Sequence, residues 1–157
     1  MPNDQLPLPL PAQVEWDARL TSLHVLPTLR TRLRDWAYRN GFASSATLDV
    51  LLAVNEVAAN AFVHGQPPVQ VNVWRRQDIL VVQVDDHGGT PLPAWAGYQP
   101  PGQHQERHYG LWLARQLADV MQTRTADAIT SVRLYFPCQF TRRARSGAAV
   151  AFGVGFP

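Results

Sequence analysis

The sequence predicts an α/β domain, and three observations carry that prediction. Val69–Trp74 and Ile79–Val84 are β-rich runs joined by Arg75-Arg76-Gln77-Asp78, which reads as an antiparallel hairpin. Thr123–Thr125 and Ser131–Phe136 form a second, closing hairpin around Ala126-Asp127-Ala128. Three further stretches repeat apolar residues at helical spacing. At 157 residues the chain fits one domain with a substantial core.

Taken in order, residues 1–12 are proline-rich and read as an irregular segment, and residues 13–137 read as the domain. Val14–Ser22 alternates as a strand would. His24–Asn40 repeats Leu26, Leu29, Leu33, Trp36 and Ala37 at helical spacing, and Gly41 stops it. Ser44 or Ser45 can cap the next helix, which runs to Gly65. Gly88–Arg107 is rich in proline and glycine and reads as a long loop, a feature that is usually functional in a compact domain. Tyr109–Met121 is helical again through Leu111, Leu113, Ala114, Leu117 and Val120. Residues 138–157 read as a flexible tail.

Charge helps by exclusion. The chain has 14 arginines and no lysine against 12 acidic residues. Three of the arginines (Arg142, Arg143 and Arg145) lie in the tail, so residues 1–141 carry 11 basic against 12 acidic groups. That balance offers no footprint for nucleic acid. The missing lysine removes the Gly-Lys phosphate loop, the protein-kinase strand lysine and Schiff-base chemistry. The single Cys138 excludes an internal disulfide framework and a cysteine-rich zinc site. No run approaches the length of a membrane helix, and the proline-broken N-terminus lacks a basic region. A cytoplasmic protein with no membrane association is the expectation.

Three constellations carry chemistry. On the helix ending at Gly65, Asp49, Glu56, Asn60 and His64 share one face, with small Ala53 and Val57 beside them. A carboxylate and a carboxamide one turn apart can hold a hard metal ion and orient an attacking hydroxyl, and Mg²⁺ takes its other ligands from water and phosphates. A solvated polar stripe has the same pattern. Second, the apolar strand Val82-Gln83-Val84 runs into Asp85-Asp86-His87-Gly88-Gly89. This holds a carboxylate at the edge of a core beside glycines that permit close approach, although a plain strand-end turn looks alike. Third, His108-Tyr109-Gly110-Leu111 opens a helix, whose free N–H groups face phosphate well. His104 and His108 have the spacing of a metal pair, but exposed loop histidines are common.

In this fixed order the three segments resemble the motifs of the GHKL ATPase superfamily. Glu56-x-x-x-Asn60-Ala61-x-x-His64-Gly65 is similar to its N box, Asp86-His87-Gly88-Gly89-Thr90 to its first glycine box, and His108-Tyr109-Gly110-Leu111 to its second. The likeness spans about Val14 to Phe136 and is greatest to the small bacterial anti-sigma-factor serine kinases. It implies a two-layer sandwich: a mixed, mostly antiparallel sheet with helices on one face and nucleotide between helices and lid. It implies ATP and Mg²⁺, with Glu56 as general base, Asn60 as the metal ligand, and Asp86 reading adenine. Gly88, Gly110 and Leu111 would shape the ATP site, residues 89–107 would form the lid, and Arg107 at its end would contact phosphate. Thr130 or Ser131 would lie beside adenine. The implied partners are a sigma factor and a STAS-domain antagonist phosphorylated on serine, with room for a homodimer.

Two positions depart from the motifs. Thr90 replaces the second glycine of the first box, and His108 replaces the first glycine of the second. A β-branched residue disfavours positive φ, and an imidazole adds bulk where phosphate approaches the backbone. These departures keep a second reading open, a protein-binding switch with weak or lost ATP binding. A detached sensor-kinase ATPase domain is a third, although no phosphoacceptor helix is evident.

Overall fold

The computed structural model describes residues 9–89, 91–92, 97–98 and 109–137. The chain runs β1 (Trp16–Leu20), a 3₁₀ turn (Leu23–Val25), α1 (Leu26–Arg39), α2 (Ser44–His64), β2 (Val69–Arg76), β3 (Ile79–Asp86), α3 (Tyr109–Leu117), β4 (Val120–Ala126) and β5 (Ile129–Pro137). The five strands form one sheet in the order β1-β2-β3-β5-β4. Every pairing is antiparallel. The expected mostly antiparallel α/β sandwich is therefore present, with no parallel pair among the described strands.

Burial explains each helix. In α1 the residues Leu26, Leu29, Leu33 and Ala37 recur every three or four positions and are all buried. In α2 the buried set is Val50, Ala53, Val54, Val57, Ala58 and Ala61, and in α3 Leu111 and Ala114 are fully enclosed. These residues meet one face of the sheet, where Val69, Val71, Val73, Leu80, Val82, Val84, Val132, Leu134 and Phe136 alternate inward. Fully burying one such side chain is worth about 1.5–3 kcal/mol. Leu33, at 1% exposed, would cost about 2–5 kcal/mol if cut to alanine. α2 is long and apolar enough to cross a membrane by composition alone, contrary to the expectation that no run is. Val50, Ala53, Val54, Val57, Ala58 and Ala61 are instead buried in the core, while Leu48, Leu52 and Val63 on the same helix are exposed.

Several boundaries differ from the sequence reading. The first helix starts as a 3₁₀ turn and becomes α-helical only at Leu26, because Pro27 supplies the preset φ of a first turn. Asn40 and Gly41 (φ +76°) end it as expected. Neither Ser44 nor Ser45 caps α2; the N-cap is Ala43, with no side-chain bond. α3 stops at Leu117 rather than continuing to Met121. There the Asp119 N–H bonds the Tyr135 carbonyl at 2.8 Å, and the chain leaves the helix to join β5. Both hairpins are tighter than expected, with two-residue turns at Gln77-Asp78 and Asp127-Ala128. Asp127 and Ala128 both have positive φ, as the twist of a two-residue hairpin requires.

Candidate nucleotide site

The site lies where the C-terminal half of α2 packs over the ends of β3 and β5. Asp86 and Thr130 are register partners on β3 and β5. Both point to the helix side, because they alternate in step with Val84 and Val132. Asn60, one helical turn after Glu56 and one before His64, comes down onto the same place. Val57, Asn60, Ala61, His64, Gly65, Val84, Asp86, Leu92, Thr130 and Val132 line one cleft.

Asp86 is 8% exposed. Its Oδ1 accepts the Gly88 N–H at 2.8 Å, and the Gln66 backbone N–H bonds it too. Burial pushes its carboxyl above the usual aspartate value, and the two backbone donors offset only part of that rise. The His87 N–H bonds the Gln66 carbonyl at 3.1 Å, tying the end of β3 to the end of α2. The glycines follow from this closeness. A β-carbon on Gly65 would overlap the Asp86 carboxylate, and one on Gly88 would strike the Gly65 backbone.

Glu56 stands at the rim toward α3. A β-carbon on Gly110 would come within 2.8 Å of its Oε2 and 3.2 Å of its own β-carbon. Glu56 and Asn60 are both half-buried on α2. Among the described residues neither side chain is spent on a structural hydrogen bond. The α2 oxygens are thus available to a ligand.

The structure brings Asn60, Asp86, Gly88 and Thr130 together, with Glu56 and Gly110 in contact next to them. Of the two hydroxyls left open by the sequence, Thr130 lines the cleft. Ser131 points through the sheet to the other face, where its Oγ donates to Asp85. Leu111 is 0% exposed and its side chain belongs to the core, so any part it plays near nucleotide falls to its backbone. Arg107, Thr90, His104, His108, most of the expected lid and the tail from 138 to 157 lie outside the described residues. Sequence reasoning did not single out Val57, Ala61, His64, Val84, Leu92 or Val132 as walls. Alternation along β3 and β5, and helical spacing from Asn60, were the signals for all but Leu92.

The fit to a nucleotide can be tested on the donors present. Val57, Ala61, Val84, Leu92 and Val132 give apolar walls for a flat ring. The buried Asp86 carboxylate suits an exocyclic amino group, and Thr130 adds a hydroxyl. The Glu56 and Asn60 oxygens suit a hard cation better than a soft one. The residues fit an adenine nucleotide with Mg²⁺. Among the described residues no cluster of three His, Cys, Asp or Glu side chains could hold a metal unaided. Such an ion would take further ligands from phosphate and water.

Comparison with known proteins agrees with this geometry. The fold is similar to the RsbU and RsbW domains of Rv1364c from Mycobacterium tuberculosis (TM-score 0.58, 20% identity), covering 78% of this chain and 32% of that one. This chain therefore spans about a third of the length of that relative. It is also similar to a chain of the SiaB–SiaC complex from Pseudomonas aeruginosa (TM-score 0.57, 14% identity, 78% and 91% covered). A third similar structure is the histidine kinase domain of a blue-light activated histidine kinase from Erythrobacter litoralis (TM-score 0.51, 16% identity, 88% and 70% covered). No curated protein matches the chain. A family model described as a histidine kinase-like ATPase domain matches residues 20–136, from the end of β1 to the end of β5. With that match over residues 20–136, the chain belongs to the histidine kinase-like ATPase domain family.

Proposed function

We propose that the protein is an ATP- and Mg²⁺-dependent anti-sigma-type regulator that phosphorylates a serine on a STAS-domain antagonist. The observation that carries the reading is the convergence of Asn60, Asp86 and Thr130 on one cleft, with Glu56 at its rim against Gly110. Phosphoryl transfer asks the protein for positioning and charge neutralisation rather than covalent chemistry. Asp86, held by the Gly88 N–H, accepts a hydrogen bond from the adenine amino group, and the apolar walls enclose the ring. Asn60 holds Mg²⁺, which when bound neutralises charge on the phosphates. Glu56 accepts the proton of the attacking serine hydroxyl as that oxygen bonds to the γ-phosphorus. The bond from the γ-phosphorus to the bridging oxygen breaks, and ADP departs.

The fold-level likeness to the SiaB–SiaC complex and to the RsbU and RsbW domains supports a protein as the acceptor. Incubation with γ-labelled ATP, Mg²⁺ and candidate STAS-domain proteins tests the reading. Label should appear on a partner serine and vanish when Asn60 is removed. Thr90 and His108 favour the second reading, a protein-binding switch with weak or lost ATP binding that sequesters its partner stoichiometrically without transfer. Complex formation that ignores ATP, with no label on any partner, would select it. A cytoplasmic location and a homodimer belong to either reading.

A further inference from the structure

The helices cover one face of the sheet, yet part of the other face, on β2, β3 and β5, is buried too. Asn72 (5%), Trp74 (7%), Val81 (1%), Gln83 (1%) and Ser131 (0%) all point away from the helices. Polar residues are seldom enclosed like this without a covering layer. Part of that layer is the segment before β1. The Pro9 carbonyl accepts a hydrogen bond from Arg133 Nη2. The Arg133 guanidinium lies over the Trp74 ring at 5.1 Å and is steadied from beneath by Gln83 Oε1, which accepts Nε–H at 2.8 Å. The other end of the segment is tied to β2. The Glu15 N–H bonds the Val73 carbonyl at 2.9 Å, and the Glu15 carboxylate pairs with Arg75 at 2.6 Å.

We propose that this face of the sheet is a recognition surface for a proline-rich segment in the polyproline II conformation, occupied in cis by the chain's own Pro9-Leu10-Pro11. Three observations carry the assignment. Residues 9 to 14 read exposed, exposed, half-buried, exposed, exposed, half-buried, so Pro11 and Val14 face inward. Residues 9–14 are neither helix nor strand, and they bend at Ala12. Two prolines in the three residues before the bend favour polyproline II there. Second, an aromatic ring beside hydrogen-bond donors is how such segments are read, because their carbonyls have no internal partners. Trp74 supplies the ring and Arg133 a donor. Third, Asn72 Nδ2 is a buried donor with no acceptor among the described residues. It stands two residues from Trp74 on the same face and is register partner to Gln83. A buried amide of this kind calls for a carbonyl, and an extended proline-rich strand presents one at every residue. This inference is independent of the nucleotide site.

The test uses the full chain. Replacing Pro7, Pro9 and Pro11 with glycine frees the segment and leaves the surface intact. A fluorescein-labelled peptide of residues 2–12 is then titrated by anisotropy. The triple variant should bind the peptide at least tenfold more tightly than the unaltered chain, where the tethered copy competes at an effective concentration in the millimolar range. Adding Arg133→Ala to the triple variant should weaken binding at least tenfold. A peptide with its prolines changed to glycine should bind poorly to both. Equal binding to both chains, no binding to a natively folded triple variant, or indifference to Arg133→Ala overturns the proposal. A readout without peptide is the Trp74 indole N–H resonance, assigned through Trp74→Phe. It should shift on the proline replacements, and an unmoved resonance overturns the proposal as well. If sedimentation instead shows a dimer that the proline replacements dissociate, the segment is exchanged between two copies and the cis assignment falls.

Discussion

Gly65 and Asp86 are packed so closely that the absent side chain of one is the space taken by the carboxylate of the other. The last residue of the N-box motif is thus a steric condition on the acid that we propose reads adenine. Gly65→Ala must move either Asp86 or the Ala61 carbonyl, which would lie 2.7 Å from the new β-carbon. We expect a stability loss of about 1–3 kcal/mol, as for other overpacked sites. ATP affinity should fall at least tenfold, about 1.4 kcal/mol. Thermal denaturation and calorimetry with ATP measure the two effects, and normal values for both would refute the steric argument.

Glu56 and Asn60, a turn apart, should separate by role. Glu56→Gln is nearly isosteric and removes only basicity, so nucleotide affinity should persist while transfer falls by about 10²–10⁴-fold. Asn60→Ala should instead weaken Mg²⁺-dependent binding itself. Gly110→Ala, which crowds the Glu56 carboxylate, should mimic Glu56→Gln in lowering turnover more than affinity. Titration and single-turnover labelling of the three variants check this. Equal small effects throughout would remove the assignment.

Base choice follows from Asp86. Guanine presents a carbonyl oxygen where adenine presents an amino group, which would leave a buried carboxylate facing an acceptor. An unpaired buried charge costs more than the roughly 1–3 kcal/mol of a neutral group, so ATP should bind at least tenfold better than GTP. Asp86→Asn, able to offer either a donor or an acceptor, should narrow that gap. Asp85→Asn should leave it unchanged, because Asp85 faces the other side of the sheet and bonds Ser131 and Gln83. Comparable affinity for ATP and GTP in the unaltered protein would mean that Asp86 only shapes the turn.

The same two acids set a dependence of stability on pH. Burial raises both carboxyls above the usual aspartate value of about 3.9. For Asp85 the Ser131, Gln83 and Arg133 contacts only partly counter that rise. The folded state then holds protons more tightly than the unfolded chain. Stability must rise as pH falls from above the raised values toward about 3.9, and fall in the reverse direction. In unfolding measured from neutral to mildly acid pH, Asp85→Asn should flatten the slope relative to the unaltered chain. A slope unchanged by the substitution, or of opposite sign, would contradict the burial cause.

Much of this was legible in the sequence because the periods were clean. Leu26, Leu29, Leu33 and Ala37 marked the buried face of α1, and the alternation of Val82 and Val84 predicted which side Asp86 would take. The N box, the first glycine and Asp86 came together because all three sit at ends of regular elements. Other features depended on tertiary pairing. The end of α3 was overrun because Val120 and Met121 continue a helical pattern, and only pairing with β5 makes them a strand. The choice between Thr130 and Ser131 needed the register of β5 against β3. The burial of the second face could not be read, since nothing local in Asn72, Trp74 or Gln83 announces that residues 9–15 return to this side of the sheet, to Arg133 and Arg75.

The pairing of Asp85-Asp86 with Thr130-Ser131 carries a hazard of misassembly. A slip of one residue along β3 would still offer the cleft an aspartate, with Asp85 in place of Asp86, so the site residues alone cannot specify which alignment forms. The discrimination must come from the rest of the strand. The same slip turns Gln83 into the hydrophobic layer and expels Val82 and Val84 from it. Alignment is also clamped at the far end by the two-residue turn at Gln77-Asp78. The valines of β3, remote from any chemistry, therefore act as the proofreaders of the site, and polar substitutions among them should yield chains that fold into the wrong frame before they yield chains that fail to fold.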